Sequence, residues 1–197
     1  AEKVKEKNPN CMIIFGGPQV PDNDSDFFKK YPFVDMIVHG EGEYVIANIF
    51  NAYLKDKDFS QIKGVETKDF KNEWEARIKD LESLPSPYLT ETIWEITEKN
   101  DDINYLASWE SNRGCPYPCT YCDWGSMTAQ KISTFSEERL FKEIEWFGDN
   151  KIVYVDSCDA NFGIFQEKDH KLAKKLSDVA LEKHYPQRVR LSWAKFS

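Results

Sequence analysis

Cys115, Cys119 and Cys122 stand in the stretch RGCPYPCTYCDWG, spaced C-x3-C-x2-C. Thiolates bind soft and borderline metals, and clustered cysteines in a chain without a secretory signal are usually metal or redox centres. A structural zinc site takes four protein ligands, and a disulfide framework takes an even number. Three cysteines with no evident fourth partner describe a metal centre with one position left open. Iron-sulfur clusters are ordinarily held by four thiolates. Held by three, a cubane-type cluster keeps one iron available to bind something else. Such an iron can do chemistry, whereas a fully ligated one only transfers electrons. Pro116 and Pro118 stiffen the loop and lower the entropy lost when the sulfurs converge.

The competing metal is zinc in a Cys3His site, which needs a histidine. The chain has His39, His170 and His184. The last two fall on one expected helix about 21 Å apart at 1.5 Å per residue, so they cannot serve one ion together. Neither has ligand-like spacing to the cysteine trio, although either alone could complete it. The remaining cysteines, Cys11 and Cys158, lie in or beside apolar runs and read as small buried hydrophobes.

The elements that must position this loop follow from the pattern of apolar residues. CMIIF (11–15) and VDMIV (34–38) are short continuous apolar runs, as expected of buried parallel strands. The first ends at Gly16-Gly17-Pro18 and the second at HGEGE. A short helix around 25–31 separates them. A longer one follows, with Val45, Ile46, Ile49, Phe50, Tyr53 and Leu54 on one face. Strand, glycine turn and helix, twice over, is a doubly wound α/β pattern. Residues 61–105 change character. They read as a linker with a hairpin-like stretch and an extended connector at Pro85 and Pro87.

A second α/β pattern starts near residue 106. LASWES is expected as a strand leading into the cysteine loop. Ser136, or Thr134 with Glu137 behind it, caps a helix bearing Leu140, Phe141, Ile144 and Phe147. KIVYV (151–155) is expected as a strand, 167–184 as a helix and RVRLSWA as a third strand. Repeated strand, loop and helix in one direction implies a parallel sheet or barrel, with the site at the C-terminal strand ends.

The chain of 197 residues is 41% hydrophobic and 30% charged, a globular composition. No apolar run approaches the roughly 18 residues of a membrane span, and the start does not resemble a signal peptide. The formal net charge is -8, from 34 acidic and 26 basic residues. No basic stripe stands out, so nucleic acid is not an expected partner. The clustered cysteines favour the reducing cytoplasm. Both termini cut through the strand-helix pattern, and we expect a fragment of a longer protein.

C-x3-C-x2-C with Tyr121 before its last cysteine resembles the signature of the radical S-adenosylmethionine (SAM) enzymes. NRGCPYPCTYCDWG is close to the form in members that carry an N-terminal cobalamin-binding domain. IIFGGPQV, VDMIVHGEGE and LESLPSPYL are similar to that subgroup in order and spacing. The resemblance implies an α/β chain. Residues 1–60 would be the C-terminal part of a Rossmann-like cobalamin-binding domain, and residues 106–197 the first half of a partial (β/α)6 radical SAM barrel.

By that resemblance, Cys115, Cys119 and Cys122 hold a [4Fe-4S] cluster whose fourth iron chelates SAM. One electron then releases a 5′-deoxyadenosyl radical, and the protein supplies position and a dry pocket. Tyr121 would lie beside the adenine or pack as an ordinary aromatic. The family binds the methionyl amino group at the end of its second barrel strand. That position reads VDSCDANFG here, a departure from the common Gly-Gly-Glu. It makes Asp156 and Asp159 candidates to face the ammonium, or else caps of the following turn. Gly16, Gly17, Gly40, Glu41 and Gly42 would approach cobalamin, or serve as tight-turn and helix-start residues. The cobalt-ligating Asp-x-His-x-x-Gly motif is absent. Among the tryptophans, Trp94, Trp109, Trp124, Trp146 and Trp193 read as core, with Trp124 the best exception.

The implied activity is cobalamin-dependent methylation of an unactivated carbon in a small-molecule or peptide substrate, with a flavodoxin- or ferredoxin-type reductant. Ring contraction or cyclisation is the alternative within the family. Outside it stand an iron-sulfur electron-transfer protein and a zinc-stabilised binding module.

Overall fold

The computed structural model describes residues 1–100, 102–122 and 131–194. The chain divides into two compact units, Ala1–Ile78 and Lys79–Ser197.

In the first unit, β1 (Ile14–Phe15) pairs in parallel with β2 (Met36–Val38). A four-residue helix, α2 (Phe27–Lys30), joins them, and the N-terminal helix α1 (Glu2–Lys7) precedes them. β1 is shorter than the apolar run CMIIF. The strands alternate between two apolar layers, as a sheet covered on both faces requires. Met36 and Val38 pack with Val45 and Ile49 of α3 (Gly42–Lys55). Ile37 faces the other way, onto Phe27 of α2 and Val34. Only part of the expected α3 stripe is used: Val45 and Ile49 are fully buried, while Phe50, Tyr53 and Leu54 are exposed.

The hairpin-like stretch belongs to this sheet. β3 (Val65–Glu66) runs antiparallel to β2, and a bridge from Glu66 to Lys71 returns the chain beside it. Residues 61–78, expected in a linker, therefore lie within the first unit. The physical reason is Val65, wholly buried against Val38 and Val45.

The second unit holds a parallel sheet of order β4-β7-β8, made by β4 (Leu106–Trp109), β7 (Tyr154–Ser157) and β8 (Arg188–Arg190). β7 begins later than KIVYV implied. Helices α5 (Glu137–Asp149) and α6 (Gln166–Lys183) connect the strands. α5 starts where Ser136 Oγ accepts the backbone N–H of Arg139. Thr134 lies instead in β6 (Ser133–Thr134), which pairs antiparallel with β5 (Asn112–Arg113). A short helix, α4 (Thr92–Thr97), was not expected.

Alternation along the parallel strands is strict. Ala107, Trp109, Val155 and Ser157 are buried on one face, where Trp109 meets Glu143 and Phe147 of α5. In-register rows Leu106–Tyr154–Arg188 and Ser108–Asp156–Arg190 occupy the opposite face. Trp109 donates from Nε1 to Glu143 Oε2 at 2.9 Å, fixing β4 to α5. Trp146 is buried as expected, and Trp94 stacks on it. Trp193 departs from the expected core role, being 62% exposed beside Phe162.

Candidate functional site

The cysteine loop leaves the sheet at the C-terminal end of β4, and the short β5–β6 pair forms its base. Gly114, the last residue before Cys115, has φ +119°. A Cβ there would lie 3.0 Å from the Lys131 carbonyl oxygen, so the return strand passes where a side chain would stand. Arg113 is held by a bidentate pair with Glu110 at 3.0 and 2.8 Å. Lys168 of α6 donates to the carbonyls of Ser111 and Phe135 at 3.3 and 3.1 Å, tying the loop base to the helix layer. Burial lowers its ammonium pKa. Nothing in the sequence spacing pointed to Lys168.

The stretch that carries Asp156 and Asp159 divides into distinct roles. Asp156, on the open face of β7, takes Arg190 as a bidentate partner at 2.5 and 3.0 Å. Asp159 is 1% exposed. Its Oδ1 accepts the backbone N–H groups of Ser111 and Asn112 at 2.8 and 3.0 Å, and its Oδ2 accepts Ser111 Oγ–H at 2.6 Å. Burial holds its carboxyl above the ordinary range, against the lowering effect of those hydrogen bonds. These bonds engage both carboxylate oxygens. Asp159 joins the end of β7 to the segment that opens the cysteine loop.

Cys158 also differs from expectation. It lies just past β7 and is exposed, because the burial alternation places Ser157 and Asp159 inward and Cys158 outward. Local desolvation and the Glu110, Asp156 and Asp159 carboxylates hold its thiol above the usual value.

Cys115, Cys119 and Cys122 are each half-buried. The N–H of Cys122 bonds to the Cys119 carbonyl at 3.2 Å, a tight turn that sets those two residues close along the chain. Asn161 Nδ2 donates to Cys115 Sγ at 3.1 Å. Among the described residues, no group of three or more His, Cys, Asp or Glu side chains lies gathered as a ready metal cage. Three thiolates repel one another until a cation joins them, and metal sites commonly form with the metal. The donor set itself, three cysteines on one proline-stiffened loop, fits an iron-sulfur cluster with one open iron. Tyr121 is 78% exposed, so it is not core packing. Trp124 lies outside the described residues.

In the first unit, Gly17 (φ +87°) and Gly40 (φ +75°) end the adjacent parallel strands β1 and β2. An added Cβ at Gly17, Gly40 or Gly42 would meet nothing within 4 Å, whereas one at Gly16 would lie 3.8 Å from Val38. The C-terminal edge of a parallel sheet is the usual place for a bound nucleotide-like group, and this one presents bare backbone. Glu41 is turned inward: its carboxylate accepts the Ile78 N–H at 2.5 Å and lies 3.5 Å from Arg77 Nε. These contacts fix the position of the loop that Glu41 opens. His39 is 2% exposed. Its Nε2 pairs with Glu66 at 2.7 Å, and its ring stacks on Trp74 at 5.4 Å. His39 Nδ1 is buried without a hydrogen-bond partner among the described residues. The open glycine loops and this orphaned atom fit a large cofactor with amide side chains, such as cobalamin. His170 and His184 are exposed on α6 and at its C-terminal cap.

No family model matches the chain. It is 39% identical to the cobalamin-dependent radical SAM methyltransferase TokK of Streptomyces tokunonensis, over 100% of this chain and 30% of the relative. It is 38% identical, with the same coverage, to the 2-(S-pantetheinyl)-carbapenam-3-carboxylate methyltransferase of Streptantibioticus cattleyicolor. In sequence the chain is thus similar to one segment of these two methyltransferases. It spans about 30% of the length of those two relatives. Its fold is shared with the cobalamin-dependent SAM radical enzyme OxsB, at TM-score 0.60 and 20% identity over 92% of this chain and 26% of that one. The radical SAM methyltransferase TsrM of Kitasatospora setae matches at TM-score 0.59 and 14% identity, over 94% of this chain and 37% of that one. Among the described residues, no helix is long and apolar enough to cross a membrane.

Proposed function

We propose that this chain forms part of a cobalamin-dependent radical SAM methyltransferase. The observation that carries the reading is the C-x3-C-x2-C loop seated at the C-terminal end of a parallel strand, in a chain 38–39% identical along its length to methyltransferases of that class. Cys115, Cys119 and Cys122 would hold a [4Fe-4S] cluster, and Tyr121 would lie beside the adenine of SAM. When bound, the cluster supplies the electron for reductive cleavage of SAM, and cobalamin supplies the methyl group.

The chain's own residues act by position. Asp156 stands on the open face of β7, where a carboxylate suits the methionyl ammonium; Arg190 holds it there until SAM binds. Gly16, Gly17, Gly40 and Gly42 keep the β1 and β2 ends low enough for a broad cofactor to rest on backbone. Two similar relatives are named as methyltransferases, which favours methyl transfer over ring contraction or cyclisation. One of them is named for a carbapenam, which favours a small-molecule substrate over a peptide. The reading carries with it a reducing, cytoplasmic setting and a flavodoxin- or ferredoxin-type reductant.

The test is low-temperature EPR of the natural full-length protein, reconstituted anaerobically and reduced with dithionite. A [4Fe-4S]+ signal that changes on adding SAM, and is lost in Cys119→Ala, is the expected result. A signal indifferent to SAM would point to electron transfer. Zinc in place of iron would defeat the proposal.

A further inference from the structure

We infer that Asn161 anchors Cys115 as the fixed ligand of the cluster and sets the cluster's reduction potential through an N–H···S hydrogen bond. The inference rests on the cluster reading above and deepens it. Asn161 is 1% exposed, and its amide donates to Cys115 Sγ at 3.1 Å. A metal-bound thiolate can only accept, and against it the reverse amide orientation would set a carbonyl oxygen on a sulfur lone pair, so the N–H is the group that serves the cluster.

The donor is held in place from both sides. On one side, Asp159 is fixed to Ser111 and Asn112, a few residues before Cys115 on the other strand of the contact. On the other side, Phe162 donates to the Ser192 carbonyl and accepts from Ala194, both at 2.7 Å. Phe162 is itself 1% exposed. Gly163 follows at φ +94°, its N–H bonded to Asp169 at 2.8 Å, and a Cβ there would lie 3.2 Å from the Trp193 ring. A side chain carried on so constrained a segment cannot follow the cysteine loop. The loop must instead close about Cys115, with Cys119 and Cys122 drawn in as a pair.

Reduction adds negative charge to an iron-sulfur cluster, and hydrogen bonds to its sulfurs favour the reduced form. The bond from Asn161 is therefore expected to make the cluster easier to reduce. Asn161→Leu keeps the approximate shape and removes the donor. At the wild-type midpoint, its reduced-to-oxidised ratio is expected to fall on the order of tenfold, which is 59 mV for a one-electron couple. Asn161→Ser keeps a shorter donor and should fall between the two.

The experiment is an EPR-monitored redox titration of the natural full-length protein and both variants, with iron content and circular dichroism beside it. A more negative midpoint in the Leu variant, partly restored in the Ser variant, supports the assignment. If the Leu variant binds no iron but keeps its circular dichroism, the Ser variant decides: regained iron supports the anchoring role, and loss of iron there too overturns it. Unchanged midpoints at full iron content, or loss of folded structure in both variants, would overturn the role of Asn161 alone. Absence of iron from the wild-type protein would sink the cluster reading itself.

Discussion

Both oxygens of the Asp159 carboxylate close onto Ser111, one at its backbone N–H (2.8 Å) and the other at its hydroxyl (2.6 Å). The end of β7 thereby grips the chain just ahead of the cysteine loop. A residue in this position could be read as a ligand for the SAM ammonium, and two substitutions separate that role from positioning. Asparagine can keep its oxygen on the two backbone N–H groups and donate its amide to Ser111 Oγ. Asp159→Asn should then change stability by less than about 1 kcal/mol and leave the EPR response to SAM intact. Asp159→Ala orphans two buried N–H groups and should cost about 2–4 kcal/mol. Urea unfolding measures both, and a stable Asn variant blind to SAM would restore the ligand role.

Glu143 is a buried carboxylate shared between two strong donors. Trp109 Nε1 and Arg139 Nε reach it at 2.9 and 3.1 Å, and Arg139 continues to the Leu84 carbonyl at 2.6 Å. Removing one partner from a buried charged pair costs about 3–5 kcal/mol. Glu143→Ala should lose that much in urea unfolding. Glu143→Gln, which keeps an acceptor for Trp109, should lose clearly less.

A pH dependence follows from Glu145. Hydrogen bonds from Lys175 and Lys183 of α6 hold its carboxyl below the ordinary value of 4.5. A depressed carboxyl binds its proton more readily in the unfolded chain. Its contribution is therefore present above about pH 4.5 and lost as the pH falls through the folded value. Glu145→Gln should lower Tm at pH 7 and by progressively less at pH 5 and pH 3. Thermal melts of the cluster-free protein at those three pH values test it, and a difference that grows toward acid would refute it.

Gly148 sits inside α5, where helix propensity alone favours alanine by about 1 kcal/mol. Here a Cβ would stand 2.6 Å from Val179 Cγ1 and 2.7 Å from Lys183 Cδ. Lys183 can swing aside, but the Val179 branch is locked in the helix packing. Overpacking of this kind costs about 1–3 kcal/mol. Gly148→Ala should therefore lower Tm, while Gly42→Ala, which meets nothing within 4 Å, should leave it unchanged or raised.

Periodicity served well wherever an element has both a long repeat and a partner. α3, α5 and α6 stand close to where their apolar spacing placed them, and Ser136 caps α5 as its position implied. Pattern could not say which apolar residues meet a partner, so Phe50, Tyr53 and Leu54 looked like core and are exposed. Elements as short as β3, β5 and β6 carry too few residues for a period, and they are held by backbone pairing that composition does not record. The cysteine trio was legible because its ligands are adjacent in sequence. Asn161 and Lys168 were not, because each acts across the fold, on Cys115 and on Ser111, with no fixed spacing to betray it.

The alternation in the second sheet separates two kinds of inheritance. Odd-numbered positions on β4, β7 and β8 carry the apolar layer against the helices, and even-numbered ones form the rows Leu106–Tyr154–Arg188 and Ser108–Asp156–Arg190. A substitution in the even rows leaves the helix-covered layer untouched. Changes there, at Asp156 or Arg190 for example, bear on the open surface of the sheet and not on its core. Core and open surface are threaded on the same three strands, one residue out of step.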